Sequence, residues 1–137
     1  MTKSSSSSQQ VARAERRPSP ELVRAFGQAV RRHFAQEVER EKAQTEARRA
    51  AALPAVRRGV EQARAKGLCS RAWLFGSYAW GAPGERSDVD ILAEDCVDPF
   101  LVASIVGRAC GRDVHVIERS NAPASLVERV AADGLPL

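Results

Sequence analysis

The order of patterns along the chain predicts an α+β fold, with a helical extension ahead of a small sheet-forming domain. Three observations carry this. Apolar residues recur at helical spacing from Leu22 to Val38. After residue 70 come three short apolar runs of strand length. Helix start and stop signals stand between and after those runs.

The composition narrows the classes. A chain of 137 residues with 44% hydrophobic and 28% charged residues holds one ordinary domain, or a small domain and an extension. No apolar run approaches the roughly 20 residues that a membrane span needs. MTKSSSSSQQ at the start has no apolar region of the kind found in a signal peptide, so a cytoplasmic location without membrane contact is expected. Cys69, Cys96 and Cys110 are widely spaced and odd in number, which fits a reducing compartment and buried thiols better than a disulfide framework. A zinc site is improbable, since only His33 and His115 could supply nitrogen ligands.

The net charge of +4 conceals two unlike halves. Residues 1–67 hold 15 Lys and Arg against 7 Asp and Glu, whereas residues 68–137 hold 6 against 10. A basic half suits nucleic acid or an acidic partner surface. A solvated helix face explains it equally simply, and a nucleic-acid partner is not favoured.

The elements follow in order. Residues 1–18, with the serine tract Ser4 to Ser8, lack apolar periodicity and read as a disordered tail. Ser19-Pro20-Glu21 is a helix start, with Ser19 as cap. The stripe Leu22, Val23, Phe26, Val30, Phe34 and Val38 follows, then a charged, alanine-rich stretch from Glu39 to Ala52. Pro54 is expected to end or kink this helix, giving an extension over 19–53 and a main domain over 54–137. A second helix is expected from Pro54 to Lys66, stopped by Gly67. Ala72 to Phe75 reads as a buried strand ended by Gly76-Ser77. Tyr78 to Ser87 is loop, opening with a helical turn. Asp88 to Ala93 is a second strand, and Asp98-Pro99 starts a helix that reaches Cys110 before Gly111. Asp113 to Glu118 is a third strand, and Pro123 to Ala132 a last helix stopped near Gly134.

The chemistry gathers around two short motifs. Gly76-Ser77 is followed, after ten intervening residues, by Asp88-Val89-Asp90. Residues two apart on a strand point to one face, so Asp88 and Asp90 present two carboxylates together. Their mutual repulsion at neutral pH is relieved by a cation, and hard oxygen donors suit Mg²⁺ or Mn²⁺. Asp113, at the start of another strand, completes a three-carboxylate cluster if that strand is a neighbour, and three carboxylates can hold two metals. Gly76 lets a phosphate come close to the backbone, and the Ser77 hydroxyl with the following N–H groups can hold phosphate oxygens. Phosphate cradle and metal carboxylates are the parts of phosphoryl or nucleotidyl transfer. Either motif alone is more simply a turn or a capped strand start.

Phe75-Gly-Ser-Tyr-Ala-Trp-Gly81, then Arg86-Ser-Asp-Val-Asp-Ile91, resembles the signature of the nucleotidyltransferase superfamily. More closely, the chain resembles the minimal nucleotidyltransferases. These are the antitoxin half of bacterial pairs whose partner is a HEPN-domain ribonuclease toxin. The resemblance spans about Val56 to Leu137 and includes the ending Ala-Asp-Gly-Leu-Pro-Leu. It implies a DNA polymerase beta-like fold with a small mixed sheet. It implies that Gly76 and Ser77 hold the triphosphate of ATP. Asp88 and Asp90 hold Mg²⁺, with Asp113 as the third aspartate and two ions expected. The implied activity is transfer of AMP from ATP to a tyrosine of the toxin, within a hetero-oligomer. Trp80 stands where the family has a smaller or basic residue, and the helix from Ser19 to Ala52 has no counterpart in the minimal members.

Tyr78 is expected to be a half-buried packing residue. Arg86 either contacts phosphate or lies on the surface. His115 is expected to be a packed core histidine, although it shares a strand face with Asp113. Two rival functions stay open. One is a non-catalytic antitoxin that acts by contact through the N-terminal helix. The other is a nucleotidyltransferase acting on a small molecule or an RNA 3′ end.

Overall fold

The computed structural model describes residues 17–137. The expected tail therefore lies outside the described residues but for Arg17 and Pro18. The described residues fall into two compact units, divided between Glu41 and Lys42.

Helix α1 spans Pro20–Ala65. Its start is capped as the sequence predicts, for the Leu22 N–H donates to Ser19 Oγ at 3.1 Å. The helix does not end at Pro54, as was one of the two expectations there, since Pro54 lies inside the one helix. Proline removes one backbone donor and crowds the preceding turn, at about 3 kcal/mol. Packing on both sides of it offsets this, because Ala52 before the proline and Val56, Val60 and Ala63 after it are all buried. Gly67 ends the helix in the left-handed region, at φ 70°. The Leu68 N–H returns to the Ala63 carbonyl at 3.0 Å.

The remaining elements are β1 (Ala72–Phe75), β2 (Val89–Ala93), α2 (Pro99–Cys110), β3 (Val114–Glu118), α3 (Ala124–Asp133) and β4 (Leu135–Pro136). They form an α+β fold around a mixed four-stranded sheet of order β3-β2-β1-β4. β1 is antiparallel to β2 and to β4, while β2 and β3 are parallel. β4 was not foreseen. A two-residue strand containing proline carries almost no pattern and is tolerated only at an edge. It is fixed instead by the Leu137 N–H on the Ala72 carbonyl at 2.8 Å and by Arg64, which donates to the Leu137 carbonyl at 3.1 Å.

One sheet face carries the core. Leu74 and Ile91 are register partners, and Val89 and Ala93 share their face by alternation. Val56 and Val60 from α1, with Val102 and Val106 from α2, belong to the same buried cluster. The two helices pass so closely that a Cβ on Gly59 would stand 2.7 Å from Val106 Cα. α2 is bounded as its sequence signals require. The Asp98 carboxylate accepts from the Leu101 N–H at 3.1 Å, Pro99 occupies the first turn, and Gly111 closes the helix at φ 68°. The other face of the sheet carries Phe75 and Asp90, which are register partners.

Candidate nucleotide site

The site is built where β1 ends beside β2. Phe75 is extended, and Gly76–Tyr78 then forms one turn of 3₁₀ helix. The Ala79 and Trp80 N–H groups both donate to the Gly76 carbonyl at 3.0 Å. Gly76 takes φ 72°, which costs a residue bearing Cβ about 1–2 kcal/mol. Space adds a second reason for glycine, since a Cβ there would lie 2.5 Å from Asp90 Oδ2. The two motifs, a dozen residues apart in sequence, are thus in van der Waals contact. The Phe75–Asp90 register sets this contact.

Asp88 and Asp90 lie on one face of β2, Asp88 just ahead of the strand. Burial pushes the Asp90 carboxyl above its ordinary range; His115 acts against this, and the Asp88 charge adds to it. Parallel pairing sets His115 directly opposite Asp90. Its Nε2 stands 3.5 Å from Asp88 Oδ2. The expectation of a packed core histidine is therefore overturned. The His115 side chain is 65% exposed, and β3, which carries it, is an edge strand of the sheet.

Asp113 sits one residue ahead of β3 and is exposed. Its carbonyl accepts the Val89 N–H at 2.9 Å, which ties the entries of the two parallel strands together. Asp113 and Asp88 line one open groove, rimmed also by Arg86, Arg108 and Arg112. Of the three arginines only Arg86 was singled out in the sequence; Arg108 and Arg112 reach the groove from the end of α2 and the turn after it. Tyr78 is more buried than expected, at 1% exposure. Its hydroxyl has no hydrogen-bond partner, and the Arg112 guanidinium lies 5.5 Å from its ring centroid. Trp80 is flanked by Phe75, with ring centroids 6.1 Å apart, and by the Arg129 guanidinium at 4.5 Å.

Among the described residues, no group of three or more His, Cys, Asp or Glu side chains is arranged to hold a metal ion. The expected three-carboxylate cluster is not drawn together in this form. The donor pair Asp88 and Asp90 still fits Mg²⁺ delivered with a nucleotide. That ion is commonly held by one or two carboxylates, its other positions filled by substrate phosphates and water. Among the described residues no helix is long and apolar enough to cross a membrane.

No protein-family model and no curated protein matches the chain. Solved structures do. A chain of a mutant of the toxin-antitoxin MntA-HpeT is 20% identical, with a TM-score of 0.50 over 59% of this chain and 70% of that one. A toxin-antitoxin structure with AMP-PNP is 24% identical, with a TM-score of 0.48 over 56% and 67%. The toxin-antitoxin MntA-HepT is 19% identical, with a TM-score of 0.46 over 61% and 69%. The first of these likenesses is one of fold alone: a small α+β domain.

Proposed function

We propose that the chain is a nucleotidyltransferase antitoxin, which transfers AMP from Mg·ATP to a tyrosine of a partner ribonuclease toxin of the HEPN type and so silences it. The observation that carries the reading is the contact between Gly76 and Asp90. It joins a phosphate-type turn to a carboxylate pair in the way nucleotidyl transfer requires. The fold likeness to toxin-antitoxin proteins agrees with it.

In this reading Gly76 and Ser77 receive the triphosphate through backbone N–H groups and the Ser77 hydroxyl. Asp88 and Asp90 hold Mg²⁺, which supplies charge neutralisation at the phosphates. The groove arginines add positive charge around the same phosphates. The tyrosine oxygen bonds to the α-phosphorus, the bond from that phosphorus to the β-phosphate oxygen breaks, and pyrophosphate leaves. The phenolic proton passes to Asp113, at the groove edge beside Asp88. Asp113 shares the metal only if its carboxylate turns toward the pair.

A second reading is favoured by one observation. Leu22, Val23, Phe26, Phe34 and Val38 of α1 are all largely exposed. An antitoxin acting by contact could seat its toxin on that apolar face. One experiment separates the readings. The protein is incubated with α-labelled ATP, Mg²⁺ and the product of the adjacent gene. Label on a tyrosine of that product, weakened by Ser77→Ala, supports transfer. A silenced toxin without label supports contact alone.

A further inference from the structure

We infer that Arg49 is a positioning residue for the nucleotide turn, and that it fixes Ser77 through the backbone that follows it. The inference rests on the reading that Gly76 and Ser77 receive the triphosphate. It concerns the charged stretch of α1, to which the sequence assigns no task.

All three guanidinium nitrogens of Arg49 are engaged. Nε donates to the Tyr78 carbonyl at 2.8 Å and Nη2 to the Gly81 carbonyl at 2.9 Å. Nη1 donates to Glu46 Oε1 at 2.8 Å, which fixes the side chain against its own helix. The Arg49 side chain is only 20% exposed; its bond to the Tyr78 carbonyl is partly shielded from water, while its bond to the Gly81 carbonyl lies at the surface. One planar fork thus spans two carbonyls on either side of Ala79 and Trp80. Arg48 adds a second strap, donating to the Pro83 carbonyl at 3.2 Å.

The strap reaches Ser77 through Gly81. A Cβ on Gly81 would stand 2.9 Å from Ser77 Cα. The chain therefore folds back until Gly81 lies against the backbone of Ser77. The turn itself is closed by a single carbonyl, that of Gly76. A single 3₁₀ turn has little rigidity of its own. Holding Gly81 from outside keeps Ser77 and the N–H groups behind it in one arrangement before any nucleotide arrives. A site preorganised in this way does not lose affinity to ordering the loop on binding. Lysine cannot replace arginine here, because one ammonium point does not span two carbonyls in fork geometry.

The test uses the full chain, with Arg49→Lys, Arg49→Ala, and Arg40→Ala as a control elsewhere on the helix. Amide hydrogen exchange without nucleotide is expected to rise about tenfold over Ser77 to Gly81 in both Arg49 variants, and to stay unchanged over β2. Calorimetric titration with AMP-PNP and Mg²⁺ is expected to show affinity about tenfold weaker in Arg49→Lys. A double-mutant cycle provides the readout that a merely structural role would not move. If Arg49 acts through Ser77, the Arg49→Lys/Ser77→Ala variant is expected to bind about as weakly as the weaker single variant. Unchanged exchange over Ser77 to Gly81, or single effects that simply multiply in the double variant, would overturn the inference. If the wild-type chain binds no AMP-PNP, the nucleotide reading itself falls and takes the positioning role with it. The exchange arm, which needs no nucleotide, tells that failure from a failure of the strap.

Discussion

In the free chain, burial and the neighbouring Asp88 charge disfavour the ionised form of Asp90, with His115 acting against them. Burial raises its carboxyl above the ordinary range. A group whose folded value is raised contributes stability below the unfolded value, near pH 4, and loses it as pH rises through the folded one. In metal-free buffer at pH 7 the ionised Asp90 therefore works against the fold. Asp90→Asn is expected to melt at a higher temperature than wild type in EDTA at pH 7, with the gain shrinking below about pH 4. Paired calorimetric melts at the two pH values check this. A variant that melts lower than wild type at pH 7 would mean that Asp90 is held by partners that favour its charge.

The same scale shows where single residues can and cannot be read from sequence. That Gly76 and Asp90 meet was legible because both lie within fifteen residues, Gly76 just after one strand and Asp90 on the next, and the Phe75–Asp90 register makes that spacing a contact. His115 was misjudged because its exposure depends on β3 being the sheet edge, which no local pattern states. The partners of Arg49 lie about thirty residues along the chain from it, so no window of sequence pairs them.

At the scale of elements, α1 departs most from expectation. Proline in a helix interior is a reliable local signal, and it was outweighed by the burial of Val56, Val60 and Ala63. Pro54→Ala is accordingly expected to raise stability toward urea by about 1–3 kcal/mol, since the packing stays and the local penalty goes. A loss of stability would show instead that the helix is adapted to the proline. Farther up the same helix, Phe26 and Phe34 are 70% and 65% exposed. Phe26→Ala/Phe34→Ala is expected to leave the melt of the free chain within about 0.5 kcal/mol of wild type, as for surface positions. If the face seats the partner, the same change should weaken binding by about 2–4 kcal/mol. A binding titration beside the melt checks both halves, and a large stability loss with intact binding would contradict the docking role.

For the molecule as a whole, the α+β class and the order of the elements from β1 to α3 were readable. The cap at Asp98 and the stop at Gly111 bound α2 among them, as Ser19 and Gly67 bound α1 ahead of them. What was not readable came from contacts distant in sequence: the closing strand β4, paired to β1 across more than sixty residues, and the groove arginines that α2 brings to Asp88 and Asp113. The proposed function requires that the Gly76-Ser77 turn and the Asp88/Asp90 pair make one metal-dependent nucleotide site. Calorimetric titration of AMP-PNP into the full chain tests this most directly, with Mg²⁺ and with EDTA, for wild type and for Asp88→Asn/Asp90→Asn. Saturable binding that requires Mg²⁺ in the wild type, and is lost in a double variant that still melts cooperatively, is the predicted result. Equal binding by the folded double variant, or binding indifferent to Mg²⁺, would contradict a single metal-dependent nucleotide site.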